Sequence, residues 1–271
     1  SAGALSIPNP YYPDRPSVFL DWRPHGWNDL RGALAKSSNI YFYLVGGGLP
    51  ASLKLSGLVS GNFNRAGLGI SKLNDYWKQF GFGSKTGVNL PFEDDGFLPG
   101  PQEKELRTSE PWRLGDTYNV SIGQGDFLVT PLQLLNFIAS IGNGGRIYRP
   151  VLKLGELSQA LVDYSLWQEL TAVREGLRDA VEQPYGSSHI LNDLPMDAAG
   201  KTGTPQVDNN SKTNAIFTGY APQENPRIAI FVLVENAREG SVNALPIAKD
   251  VLRWYYENRI QNANIKVPSK T

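Results

Sequence analysis

Ala198-Ala199-Gly200-Lys201-Thr202-Gly203-Thr204 is the stretch on which the reading of this chain turns. Gly200-Lys201-Thr202 has the ending of a phosphate-binding loop. That pattern needs a glycine five residues before Gly200, and Pro195 stands there. The residues that follow, Pro205 to Asn209, are polar and turn-prone rather than the opening of a helix. The same residues suit the edge of a β-strand. There a lysine and hydroxyl groups bind a substrate carboxylate, glycine admits the substrate backbone, and a backbone N–H beyond the glycine can serve an oxyanion hole. Taken alone, an ordinary strand with a surface lysine explains these residues as well.

Around this stretch the hydrophobic pattern predicts strands over Ala198–Thr204, Ala215–Tyr220 and Ile228–Val234. The third is almost wholly apolar, as a strand covered on both faces is. Pro222 to Pro226 supplies a turn, so the last two strands form an antiparallel hairpin, and a closing helix runs from about Leu245 to Tyr256. Upstream, Thr130-Pro131 opens a helix that ends at Gly142. Ser165 with Gln168 suggests a capping box for a helix using Leu166, Leu170, Val173, Leu177 and Val181. Residues 86–130, rich in Gly and Pro, read as long loops. Ser71 is read as the cap of a helix with Leu73, Tyr76, Trp77 and Phe80 on one face. Asn28 or Asp29 caps a helix through Leu30, Ala33 and Leu34, which ends near Ser37-Ser38-Asn39. A second apolar stretch, Ile40 to Val45, follows and stops at Gly46-Gly47-Gly48. Residues 6–27, with Pro8, Pro10, Pro13, Pro16 and Pro24, read as an extended, loop-rich entry. Helices first, then strands, then one helix describe a mixed α/β (α+β) domain with an antiparallel sheet flanked by helices.

The composition narrows the function. The 26 basic and 26 acidic residues cancel, which weighs against a nucleic-acid partner. With no cysteine there is no disulfide, thiolate metal site or cysteine nucleophile. No window reaches the ~18 apolar residues of a membrane span. Ser1-Ala2-Gly3-Ala4-Leu5 lacks the basic start and apolar core of a signal peptide.

Ser37-Ser38-Asn39 is the second chemical element. Ser37 and Asn39, two residues apart at a helix end, can pass a proton and hold a peptide carbonyl or amide, although such residues often serve only as caps and turn formers. An S-x-N sequence followed after a long interval by K-T-G-T is the order found in penicillin-recognising serine enzymes. The chain resembles class B penicillin-binding proteins, and among them the elongation-type transpeptidases that maintain rod shape. The resemblance runs through Leu20–Gly26, Ala35–Tyr43, Phe80–Gly83, Thr86–Pro91, Trp112–Tyr118, Ser121–Gly125 and Ala199–Gln206. All of 1–271 therefore reads as one partial transpeptidase domain.

The resemblance implies a serine acyl-enzyme that crosslinks peptidoglycan stem peptides and reacts with β-lactams. It implies that Ser37 relays a proton and Asn39 holds the substrate amide. Lys201, Thr202, Gly203 and Thr204 would line the groove and meet the substrate carboxylate, with the Thr204 N–H in the oxyanion hole. The family's nucleophile belongs to an S-x-x-K motif. No serine here is followed three residues later by lysine; Ser52 is followed by Leu55 and Ser71 by Asn74. The chain is thus expected to begin downstream of that serine, without the family's first strands and nucleophile helix. Penicillin should leave the isolated chain unlabelled, and its sheet should expose an edge.

Some elongation-type relatives hold zinc near S-x-N through aspartate, histidine and cysteine. Asp21 and His25 match two of those positions, but Ser38 stands at the third, so they are expected to hold a loop by hydrogen bonds, with no metal and no other cofactor. Trp77, Trp254 and Tyr255 are expected in the core. Trp112 and Tyr118 are candidates for the groove, though core is the favoured place, and Glu93-Asp94-Asp95 reads as a solvated turn. The family also implies a membrane-anchored protein with this domain on the periplasmic side of the inner membrane. The partner it implies is a membrane shape-determining polymerase, and a second chain could carry the missing part. A D,D-carboxypeptidase or β-lactamase-like hydrolase, and a non-catalytic scaffold or sensor, remain as alternatives. The loops of 86–125 resemble those of the transpeptidases.

Overall fold

The structure is a computed structural model that describes residues 2–9, 12, 14–50, 66–208 and 210–262. Ser1, Pro10, Pro13, Ser52, Leu55 and Asn209, used above, lie outside the described residues. The chain divides into two compact units, Ser1–Ala33 with Ser37–Thr130, and Leu34–Lys36 with Pro131–Thr271.

The first unit opens with an antiparallel pair, β1 (Ala4–Ile7) and β2 (Ser17–Leu20), in which Ala4 faces Leu20 and Ile7 faces Ser17. The loop-rich reading of 6–27 is corrected here. Pro8 and Pro16 sit just outside the strands, so they punctuate the pair rather than prevent it. Leu5 and Ile7 alternate into the core. Helix α1 (Leu30–Lys36) is capped as expected, with Asp29 Oδ1 accepting the Gly32 N–H at 2.7 Å. Helix α2 (Asn39–Gly47) follows at once. Helix α3 spans Gly69–Gln79; Ser71 is its third residue and not its cap, and Tyr76 is half exposed.

Within the expected loops of 86–130 lie two helices, α4 (Pro101–Thr108) and α5 (Leu114–Ser121). Proline at the first position starts α4, and the Asp116 carboxylate accepts the Arg113 N–H at 2.6 Å to start α5. These are terminal signals that a glycine- and proline-rich composition conceals. Helix α5 packs closely on α2, because a side chain at Gly47 would come within 2.4 Å of the Tyr118 ring. Leu5, Ile7, Ile40, Tyr43, Leu49 and Tyr118 form this unit's core.

The second unit contains α6 (Pro131–Gly142), a short pair β3 (Arg146–Tyr148) and β4 (Ala160–Asp163), and α7 (Thr171–Glu182). The Ser165–Gln168 capping box does not form. Ser165 has a left-handed φ of 51° and is bound to Asp163, so α7 starts later. Strands β5 (Ala199–Gly203), β8 (Ala215–Ala221) and β9 (Ile228–Val234) make an antiparallel sheet in that order. A small hairpin of β6 (Gln206–Val207) and β7 (Lys212–Thr213) lies between β5 and β8 in sequence. The chain then enters α8 (Leu245–Tyr255), led in by a π-turn over Gly240–Ala244.

The pleat sends neighbouring residues of β8 to opposite faces. Ala215, Phe217 and Ala221 join Leu245, Ala248 and Leu252 of α8 in one buried cluster. Tyr220 turns to the other face, against Gly142 at the end of α6. The sheet is therefore covered by helices on both sides, as the apolar β9 requires. Trp254 departs from its expected core place: it is 54% exposed, outside the stripe of α8 that faces the sheet.

Candidate active site

In the second unit, β5 carries Lys201, Thr202 and Gly203, with Lys201 paired to Thr218 and Gly203 to Ile216 of β8. Among the described residues β5 has a strand neighbour on one side only, so its other edge is open for pairing. Gly200 lies over Phe217, where a Cβ would come within 2.5 Å of the ring, so the strand admits no side chain there. Lys201 donates from Nζ to the Thr202 carbonyl at 2.7 Å. The residue as a whole is only partly buried, yet its ammonium is closely surrounded. Loss of solvation pushes its pKa down from 10.5 to about 8. Thr204, just past the strand, accepts the Gly240 N–H at 3.2 Å on Oγ1. A hydroxyl that accepts in this way keeps its proton to donate elsewhere.

Gly240 is the residue of this region that sequence reasoning missed. A Cβ there would lie 2.4 Å from the Ile216 carbonyl oxygen and 2.6 Å from that of Gly203. No local motif marks it, because its constraint comes from Gly203 and Ile216, on strands far from it in sequence. Gly240→Ala is expected to cost about 1–3 kcal/mol, in the range for overpacked sites. A thermal melt indistinguishable from wild type would show that the contact is loose.

In the first unit, Ser37 and Asn39 share the turn between α1 and α2. Ser37 takes a left-handed φ of 58°, which a serine adopts only where its surroundings hold it. The holder is the segment Leu20–Trp22. Asp21, buried, accepts at Oδ2 from Ser38 Oγ (2.8 Å) and the Ile40 N–H (3.4 Å). Its Oδ1 accepts from the Asn39 N–H (2.9 Å) and the Trp22 N–H (3.1 Å). The Trp22 indole N–H donates to the Ser37 carbonyl at 3.1 Å, and Asn39 Nδ2 to the Leu20 carbonyl at 3.4 Å. Asp21 thus caps α2 from outside the helix, where negative charge complements the helix dipole.

The hydrogen-bonding role expected of Asp21 is present. His25 Nε2 lies 3.5 Å from its Oδ1, a contact charged only when the imidazole is protonated. Both Asp21 oxygens are engaged by N–H and O–H donors, and Ser38 presents a neutral hydroxyl where a thiolate would be needed. The donor set does not fit zinc. Among the described residues no group of three or more His, Cys, Asp or Glu comes together.

Three other residues have settled places. Tyr118 is fully buried and donates to the Gly48 carbonyl at 2.7 Å, which makes it core rather than groove. Burial pushes its phenol up to about 12. Trp112 donates its indole N–H to Thr117 Oγ1 at 2.8 Å. Glu93 is more than a solvated turn residue, because its carboxylate accepts from the Thr86 and Gly87 N–H groups and the Thr86 hydroxyl. Ser37 and Asn39 belong to the first unit and Lys201 to Thr204 to the second.

The penicillin binding protein transpeptidase domain model matches residues 7–253. The chain belongs to this penicillin-binding transpeptidase family. Its fold is that of the family, with helices around antiparallel sheets. The peptidoglycan D,D-transpeptidase MrdA of Haemophilus influenzae is 31% identical, over 95% of this chain and 42% of its own length. Penicillin-binding protein (PBP2) of Helicobacter pylori, solved in complex with MreC, is 30% identical with a TM-score of 0.74, covering 93% of this chain and 44% of that one. Pseudomonas aeruginosa PBP2, in complex with WCK 5153, gives 28% and 0.76, covering 96% and 55%. These relatives place the chain with the rod-shape branch of the penicillin-binding transpeptidases. It spans about two fifths to just over half of their length.

Proposed function

We propose that residues 1–271 form part of one D,D-transpeptidase domain that crosslinks peptidoglycan stem peptides during cell-wall elongation. The observation that carries this reading is the Lys201–Thr204 segment on an open strand edge, inside a family match over 7–253. A stem peptide lies along β5 as an added strand, and Gly203 lets its backbone approach. Its terminal carboxylate meets Lys201, Thr202 and the free proton of the Thr204 hydroxyl. The Thr204 N–H contributes to the oxyanion hole. Asn39 holds the substrate amide, and Ser37 relays a proton to the departing amine. β-Lactams, which mimic the D-Ala-D-Ala end, react in the same way. The nucleophile is the serine of an S-x-x-K motif, a pair absent from this sequence. The domain works on the periplasmic side of the inner membrane as part of an anchored protein. Its partner there is a membrane shape-determining polymerase. Among the described residues no helix is long and apolar enough to cross a membrane.

The test is covalent labelling of the full-length gene product by a fluorescent penicillin. Labelling is expected, with Asn39→Ala and Thr202→Val each slowing acylation at least about tenfold, the loss of about 1.4 kcal/mol or more of transition-state stabilisation. A folded full-length protein that takes up no label would refute the reading.

A further inference from the structure

Among the residues around Ser37 and Asn39, Asp21 has no part in the chemistry proposed above, yet donors from Trp22, Ser38, Asn39 and Ile40 converge on its carboxylate. Its two oxygens accept from the Asn39, Ile40 and Trp22 N–H groups and from Ser38 Oγ, at 2.8–3.4 Å. Its own N–H is fixed by the Gly3 carbonyl at 2.9 Å, which ties it to the strand pair β1–β2. Ser38, sandwiched between Ser37 and Asn39, is 1% exposed, so its hydroxyl faces inward and cannot meet a substrate. A left-handed serine costs about 1–2 kcal/mol in backbone strain, so the turn would relax without something to hold it. An ionised carboxylate accepting N–H bonds at a helix start is a strong bond of this kind.

We infer that Asp21 is a positioning residue: acting through Ser38 and the first amides of α2, it holds the Ser37 turn and aims Asn39 at the substrate. This inference rests on the transpeptidase reading for its kinetic consequence, but not for the geometry it asserts.

The carboxylate's two oxygens are both needed, so Asp21→Asn is the informative change: its amide nitrogen cannot accept from Ser38 or Ile40. In the full-length protein, Asp21→Asn is expected to slow penicillin acylation at least tenfold at a temperature where it is fully folded. In an Asn39→Ala background the same change should slow the rate by a factor at least about threefold smaller than in the wild-type background, because only the Ser37 turn is left for the carboxylate to hold. Tyr118→Phe, which loses one buried hydrogen bond in the same unit, should melt lower yet react at the wild-type rate. If Asp21→Asn does not fold, Ser38→Ala removes one of the links and should give a smaller loss with the same dependence on Asn39. Hydrogen exchange at the Asn39 and Ile40 amides should quicken at least tenfold in either variant, a result that stands whether or not the protein reacts with penicillin. A chelator should leave the melting temperature and acylation rate of the wild type unchanged. Effects of Asp21→Asn and Asn39→Ala that simply add, unchanged amide exchange, or a loss on chelation would each overturn the inference. An unlabelled wild type with quickened exchange in Asp21→Asn would instead sink the transpeptidase reading and keep the clamp.

Discussion

Arg174→Met is expected to lower the stability of the second unit by about 3 kcal/mol. Arg174 is 7% exposed and spends its guanidinium on main-chain carbonyls. It donates to Ile141 at 3.3 Å and to Gly142, the last turn of α6, and to Gln223 at 3.0 Å in the turn between β8 and β9. It also lies over the Trp167 ring at 5.0 Å. The cation thus caps a helix C-terminus, where the dipole favours it, and ties that end to the sheet. Methionine keeps most of the apolar contact but leaves three carbonyls without this donor, each costing about 1–3 kcal/mol if it stays buried. For a unit of this size the melting temperature should fall by about 6–12 °C. Arg174→Lys should recover only a part, because a single ammonium cannot span the three acceptors as a planar fork does. Calorimetry that shows Arg174→Met within about 1 kcal/mol of wild type would remove Arg174 from this role.

Lys201→Met is expected to act in the opposite sense on stability and, in the full-length protein, to abolish acylation by penicillin. The ammonium of Lys201 is dehydrated, and its pKa falls from 10.5 to about 8. The unfolded chain therefore holds the proton more tightly than the folded one. Between about pH 8 and pH 10.5 the unfolded state carries the extra proton, so wild-type stability rises with pH through that window. Below pH 8 both states are protonated and the full penalty of burying the charge is present. That penalty reaches at most about 3.5 kcal/mol, at about 1.4 kcal/mol per pKa unit, and partial exposure of the residue reduces it. At pH 7 Lys201→Met should be more stable than wild type by about 1–3 kcal/mol. The difference should shrink as pH rises towards 10.5. A stability difference independent of pH, or a destabilised variant, would contradict a dehydrated Lys201. Retained acylation would contradict its place in the substrate groove. A costly charge kept at one point is how a binding site trades stability for function.

Much of this architecture was legible in the sequence where signals are local and periodic. The apolar run Ile228–Val234 and the prolines at 222 and 226 fixed the hairpin to within a residue. Asp29 capped α1 as expected because its partner lies three residues away. The failures have a common physical cause. Helices α4 and α5 lie in a glycine- and proline-rich stretch whose composition masks the Pro101 and Asp116 start signals. The Ser165–Gln168 box matched a pattern whose backbone had already left the helical region. In the candidate site, Lys201 to Thr204 and Ser37 to Asn39 stand out because motifs are read along the chain. Gly240 and the carboxylate environment of Asp21 do not, since three of the four donors to Asp21 lie 17 to 19 positions away and Thr204 lies 36 positions from Gly240.

Trp22 gives the Ser37 turn an optical consequence. Its indole N–H is bonded to the Ser37 carbonyl while 56% of the residue faces solvent. The Arg23 guanidinium sits 4.3 Å above its ring and the His25 ring lies 5.2 Å away, edge to face. An exposed indole hydrogen-bonded to the turn and lying beside an imidazole, a quenching group, changes its emission when that bond loosens. The chain thus carries, beside Asn39, a chromophore of its own through which the state of the turn can be watched in solution without attaching a dye.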